Sequence, residues 1–80
     1  QNVPFKELSE ELKINYDGVE TFSYSNKITT NFQKTDTLPV VSIRWKKNVP
    51  SSERRADSKK IEAWLKFKLK LDTLQVTEYR

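Results

Sequence analysis

Apolar positions along the chain follow two different periods, and the change of period marks out the elements. Phe5, Leu8 and Leu12 stand three and four apart, the spacing of one helical face. With Pro4 suited to a first helical position, Asn2 as a candidate cap and Glu7, Glu10 and Glu11 in the early turns, the pattern predicts a helix over residues 4–13. Asp17-Gly18, which holds the chain's single Gly, marks a break. The period then shortens to two. Phe22 and Tyr24 share one face of a strand over 19–25, and Ser25-Asn26 is a turn candidate. Ile28, Thr30 and Phe32 share a face of a second strand over 27–33. Residues 34–39 read as a loop. After Pro39, Val41, Ile43 and Trp45 alternate with Ser42, Arg44 and Lys46, the clearest strand of the chain.

Pro50, Ser51 and Ser52 end that strand and offer a helix start, with either serine as cap. The segment beyond them carries both periods. Leu65 to Leu71 alternates apolar with Lys, as a strand would. Yet Glu53 to Leu71 contains no Gly or Pro and is made mostly of helix formers. On a helix, Ala56, Lys60, Ala63, Trp64, Phe67, Leu71 and Leu74 fall in one stripe. We favour a helix over 52–71, with the strand reading of its second half left open. Residues 74–79 read as a closing strand. The expected fold is one α+β domain over residues 1–80. Two helices pack on a mostly antiparallel or mixed sheet of about four strands, in the order α-β-β-β-α-β.

Asn2-Val3-Pro4 returns as Asn48-Val49-Pro50, each copy followed by a helix and then an aromatic-bearing strand. The second copy is preceded by a strand; the counterpart for the first would lie before Gln1. Residues Val3 to Leu12, with Phe22-Ser23-Tyr24-Ser25-Asn26-Lys27-Ile28, resemble the first half of the secretin and TonB short N-terminal domain. Val41-Ser42-Ile43 and Lys47-Asn48-Val49-Pro50 are similar to that family's second strand-to-helix junction. The likeness covers about half the chain. The 33–39 segment, the polar stretch Ser51–Lys60, the basic second helix and the missing first strand depart from it. It implies a non-catalytic interaction module of the periplasm or cell envelope, and it transfers no catalytic residues.

Composition narrows the chemistry. The 80 residues include no Cys and no His. Disulfides, thiolate metal sites and Cys–His or Ser–His nucleophile pairs are thereby excluded. A single Gly leaves no phosphate-binding glycine loop, and no apolar run nears the roughly 20 residues of a membrane span. Glu7, Glu10 and Glu11 have the spacing of a solvated face. We expect no enzyme activity, cofactor, metal or small-molecule substrate. Nine aromatics are spread along the chain; Trp45 and Trp64 lie on predicted core faces and read as packing residues.

Charge is placed unevenly. Residues 1–40 carry four Lys against six acids, and residues 41–80 eleven basic residues against five acids. On the helix reading, Arg55, Lys59, Lys66 and Lys70 share one face, Arg54 and Lys60 flank it, and Lys46-Lys47 lie just upstream. Such a face suits a phosphate backbone or an anionic membrane surface; equally, it serves as a solvated face that keeps a small domain soluble. The expected role is a protein-interaction module, binding a partner or a second copy through a sheet edge or the second helix. Nucleic-acid binding through the basic helix is the alternative.

Overall fold

The computed structural model describes residues 3–79. Their element order is α1 (Phe5–Asn15), β1 (Val19–Thr30), β2 (Thr35–Trp45), α2 (Ser51–Leu69) and β3 (Gln75–Tyr79). The sheet order is β1-β2-β3, with β1 antiparallel and β3 parallel to β2. A parallel neighbour requires a crossover, and α2 supplies it. The class is α+β with two helices, as the periodicity implied; three strands replace the expected four.

The missing strand was a false division. Ser25-Asn26 is no turn: β1 runs unbroken through both, pairing Ser25 with Val40 and Asn26 with Pro39. The chain reverses at Asn31–Lys34 instead. There the Asn31 side-chain oxygen accepts the N–H of Gln33 at 3.0 Å and of Lys34 at 2.8 Å, while Thr30 Oγ1 accepts the Phe32 N–H at 2.9 Å. These local bonds substitute for the missing ladder, and they hold Phe32 at a φ of 73°. The expected loop 34–39 is therefore mostly strand, with Thr35–Pro39 paired to Asn26–Thr30.

Both helices begin on the repeated Val-Pro. Pro4 and Pro50 are the cap residues rather than the first helical ones, and neither helix has a side-chain cap bond, so Ser51 and Ser52 lie inside α2. Each proline carbonyl opens its helix, accepting Leu8 N–H and Arg54 N–H at 3.0 Å. Asn2 lies outside the described residues. The helix ends, at Asn15 and Leu69, and the start of β3 differ from the expected bounds by one or two residues, as ends commonly do.

The core gathers Leu8 and Leu12 of α1, Val41, Ile43 and Trp45 of β2, Val49, Ile61 and Leu65 of α2, and Leu74. The helices run antiparallel on one face: Lys68 Nζ meets Glu11 Oε1 at 3.4 Å, while Asp57 lies near Tyr16. The inward stripe of α2 is not the expected one. Ala56, Lys60, Ala63 and Phe67 are exposed, while Ser58, Ile61 and Leu65 are buried and Trp64 and Leu69 half-buried. Ile61 and Leu65, four apart, bury more apolar area than two alanines, and they set the helix rotation. Trp64 and Leu71 are half-buried, and Leu74 is buried, so that end of the stripe reaches the core.

Candidate functional site

Alternation along β1 fixes which way each residue points. Phe22 stands opposite Ile43, and Tyr24 opposite Val41; both partners are fully buried under the helices. Phe22, Tyr24, Asn26 and Ile28 therefore share the helix-side face. The backbone alternates with the same period. Across the turn Asn31 N–H bonds Lys34 C=O at 3.1 Å, so the odd residues of β1 turn their N–H and C=O groups toward β2. Phe22, Tyr24, Asn26 and Ile28 turn theirs away from it. Among the described residues β1 pairs with β2 alone, so these groups line a free sheet edge.

The edge is long and little protected. Native sheets blunt edges with charge, proline, bulges or a covering element. β1 has one bulge near its start, between Val19 and Thr21, no Pro, and two charged residues, Glu20 at the bulge and Lys27. Every residue from Ser25 to Thr37 is exposed, so the distal half of the β1–β2 hairpin stands clear of the helices. Ile28 is 72% exposed there, and Phe32 at the tip 93%. Ile28 and Phe32 do not share a second strand as expected, since β1 ends at Thr30 and Phe32 lies in the turn. Near the start of β1, α1 overhangs the sheet, and Phe5 stacks on Phe22 with ring centroids 5.2 Å apart. Between α1 and this part of β1 runs a groove of about 420 Å³ lined by Ser9, Leu12, Lys13, Val19, Glu20 and Phe22.

A larger cleft of about 590 Å³ lies where the end of α2 meets the hairpin, and Tyr24, Asn26, Lys68 and Asp72 help line it. At the end of α1, the Tyr16 phenol is pushed above 10.0 first by burial and then by the nearby Asp57 charge. Among the described residues no three of His, Cys, Asp and Glu group as metal ligands, and no helix is long and apolar enough to cross a membrane.

The basic residues of α2 are partly brought together. Arg55, Lys59 and Lys70 are exposed; Arg55 and Lys59 share with Lys66 a sector roughly 40° wide, whereas Lys70 follows the helix as a left-handed cap at a φ of 55°. Lys60 flanks it, and Ala56, Ala63 and the 82% exposed Phe67 lie beside it. Lys66 is half-buried and paired with Glu62 at 3.3 Å. Arg54 turns inward, its guanidinium donating to the Val49 carbonyl at 2.7 Å, so it supports the helix start rather than the basic face. Lys46 and Lys47 are exposed on the β2–α2 connection, at the opposite end of α2 from Lys70. The edge residues Tyr24, Asn26 and Ile28 escaped the sequence reading of sites. Their signal was the absence of Gly and Pro from Val19 to Gln33, which permits one long strand.

No curated protein and no solved structure matches this chain. One family model, described as Domain of unknown function (DUF8492), matches residues 4–79, and the chain belongs to that family.

Proposed function

We propose that this domain is a non-catalytic protein-interaction module that adds an extended segment as a fourth strand along β1. The observation that carries this reading is the uncovered row of backbone donors and acceptors at Phe22, Tyr24, Asn26 and Ile28. Strand addition draws affinity from such main-chain bonds and specificity from pockets for alternate side chains; the groove beside Phe22 supplies a pocket. An envelope setting goes with the resemblance to the secretin and TonB short N-terminal domain and is proposed with it.

The test is selection of extended peptides from a random library on immobilised domain. Asn26→Pro removes one outward N–H and no bond to β2. The reading expects salt-tolerant binders that Asn26→Pro abolishes and that Lys59→Glu/Lys70→Glu leaves intact. An absence of binders, or binders indifferent to Asn26→Pro, would sink it.

The second reading is nucleic-acid binding through α2, favoured by the shared exposure of Arg55, Lys59 and Lys70. It expects labelled DNA or RNA to bind with an affinity that falls steeply with salt, and Lys59→Glu/Lys70→Glu to abolish that binding. No binding at low salt would exclude it.

A further inference from the structure

We infer that the strand received by β1 is the β1 of a second copy of this chain, in an antiparallel two-fold pair. This inference rests on the strand-addition reading and names its partner. Two antiparallel edge strands related by a two-fold axis keep both helix layers on the same side of the joined sheet. Residues then meet only in pairs whose numbers sum to an even value, because side chains of one face must meet side chains of the same face. Along Val19–Thr30 the even sums 48 and 50 overlap the strand equally, and the sum of 50 places Phe22 against Ile28 and Tyr24 against Asn26. Ser25 then stands opposite its own copy.

One observation supports even-sum pairing in general, and two favour this register within it. The paired residues Phe22, Tyr24, Asn26 and Ile28 are those whose backbone groups face the edge, so each outward donor finds an outward acceptor. Ile28, 72% exposed in the single chain, arrives beside the partner copy's Phe22, at the groove that Leu12 and Val19 also line. The helix-free half of each hairpin, which leaves Ile28 uncovered, is laid against the helix-covered half of the other. Charge agrees, since Lys27 stands opposite Ser23 and no like charges oppose each other. The contact is isologous and closes at two copies. It joins two three-stranded sheets into a continuous one.

The absence of native Cys makes the register directly testable. In this pairing position 25 is a non-hydrogen-bonded pair with Cα atoms about 4.5 Å apart, within reach of a disulfide. Positions 23 and 27 each lie four residues from their own copies, about 14 Å along the strand. Ser23→Cys, Ser25→Cys and Lys27→Cys are each oxidised in the otherwise native chain. Ser25→Cys should form disulfide-linked dimer at least about tenfold faster than the other two, the distance being prohibitive for them. Ile28→Asp, at a site exposed in the single chain, should keep its melting temperature at dilute concentration. It should weaken self-association in sedimentation equilibrium by at least about tenfold, because the carboxylate would be buried against Phe22.

Equal cross-linking at the three positions, or native protein that sediments as a monomer up to millimolar concentration, overturns the self-pairing. If library peptides still bind that monomer in an Asn26→Pro-sensitive way, strand addition stands and only the partner is wrong. If they do not, both fall.

Discussion

The indole N–H of Trp45 donates to the carboxylate of Glu78 at 3.0 Å, joining the last buried residue of β2 to the neighbouring strand β3. Trp45 is buried, so removing its acceptor leaves a donor with no protein partner. Glu78→Ala should cost about 1–2 kcal/mol, and Glu78→Gln, which keeps a carbonyl in place, clearly less. Urea unfolding of the two variants checks this. Equal losses would mean that the charge, not the hydrogen bond, holds β3.

The rotation of α2 makes an opposed pair of predictions. Leu65 is fully buried and Phe67 is exposed, although the Phe67 stripe looked the more apolar in sequence. Leu65→Ala should cost about 2–5 kcal/mol. Phe67→Ser should stay within about 0.5 kcal/mol of the native chain. A large loss at Phe67 would place it in the core.

Gly18 is buried with a backbone any residue can adopt, but not the space. A Cβ there would stand 2.9 Å from Val49 Cγ2. Gly18→Ala should cost about 1–3 kcal/mol through overpacking. Val49→Ala opens that space, so the double variant should lose less than the two single losses together. Simple additivity would locate the strain elsewhere.

Tyr16 gives a pH signature. Burial, and secondarily Asp57, raise its phenol above 10.0, so the folded state holds that proton more tightly than the unfolded chain. Its contribution is complete below 10.0 and is lost as pH rises through the folded value. Denaturant midpoints measured from pH 9 to 11.5 should fall more steeply in the native chain than in Tyr16→Phe. Identical slopes would remove Tyr16 as the cause.

Periodicity revealed the helices, the central strand and the closing strand because each buries one side against the same core. The hairpin was harder to read. Ser25-Asn26 has turn composition but sits inside a ladder, whereas the real turn depends on Asn31 bonding its own backbone around a left-handed Phe32. Pro39 looked like a strand boundary. It is tolerated within β2 because, opposite Asn26, its nitrogen faces away from β1, just before the pairing with β3 begins at Val40. The α2 face was misread because Ala56 and Ala63 counted as much as Ile61 and Leu65. The common side of Arg55, Lys59 and Lys66 follows from helical spacing alone; Lys70 does not follow it, because α2 ends at Leu69 and Lys70 turns left-handed. The free edge of β1 was not legible, since it depends on which strands pair.

The most direct test of β1 as the interaction surface is amide hydrogen exchange residue by residue along that strand. In dilute protein, the amides of Tyr24, Asn26 and Ile28 should exchange fast and those of Ser23, Ser25 and Lys27 slowly. At high protein concentration, or with a selected peptide bound, the fast set should become slow and the slow set should stay so. Amides of Tyr24, Asn26 and Ile28 that remain fast under both conditions would contradict the account.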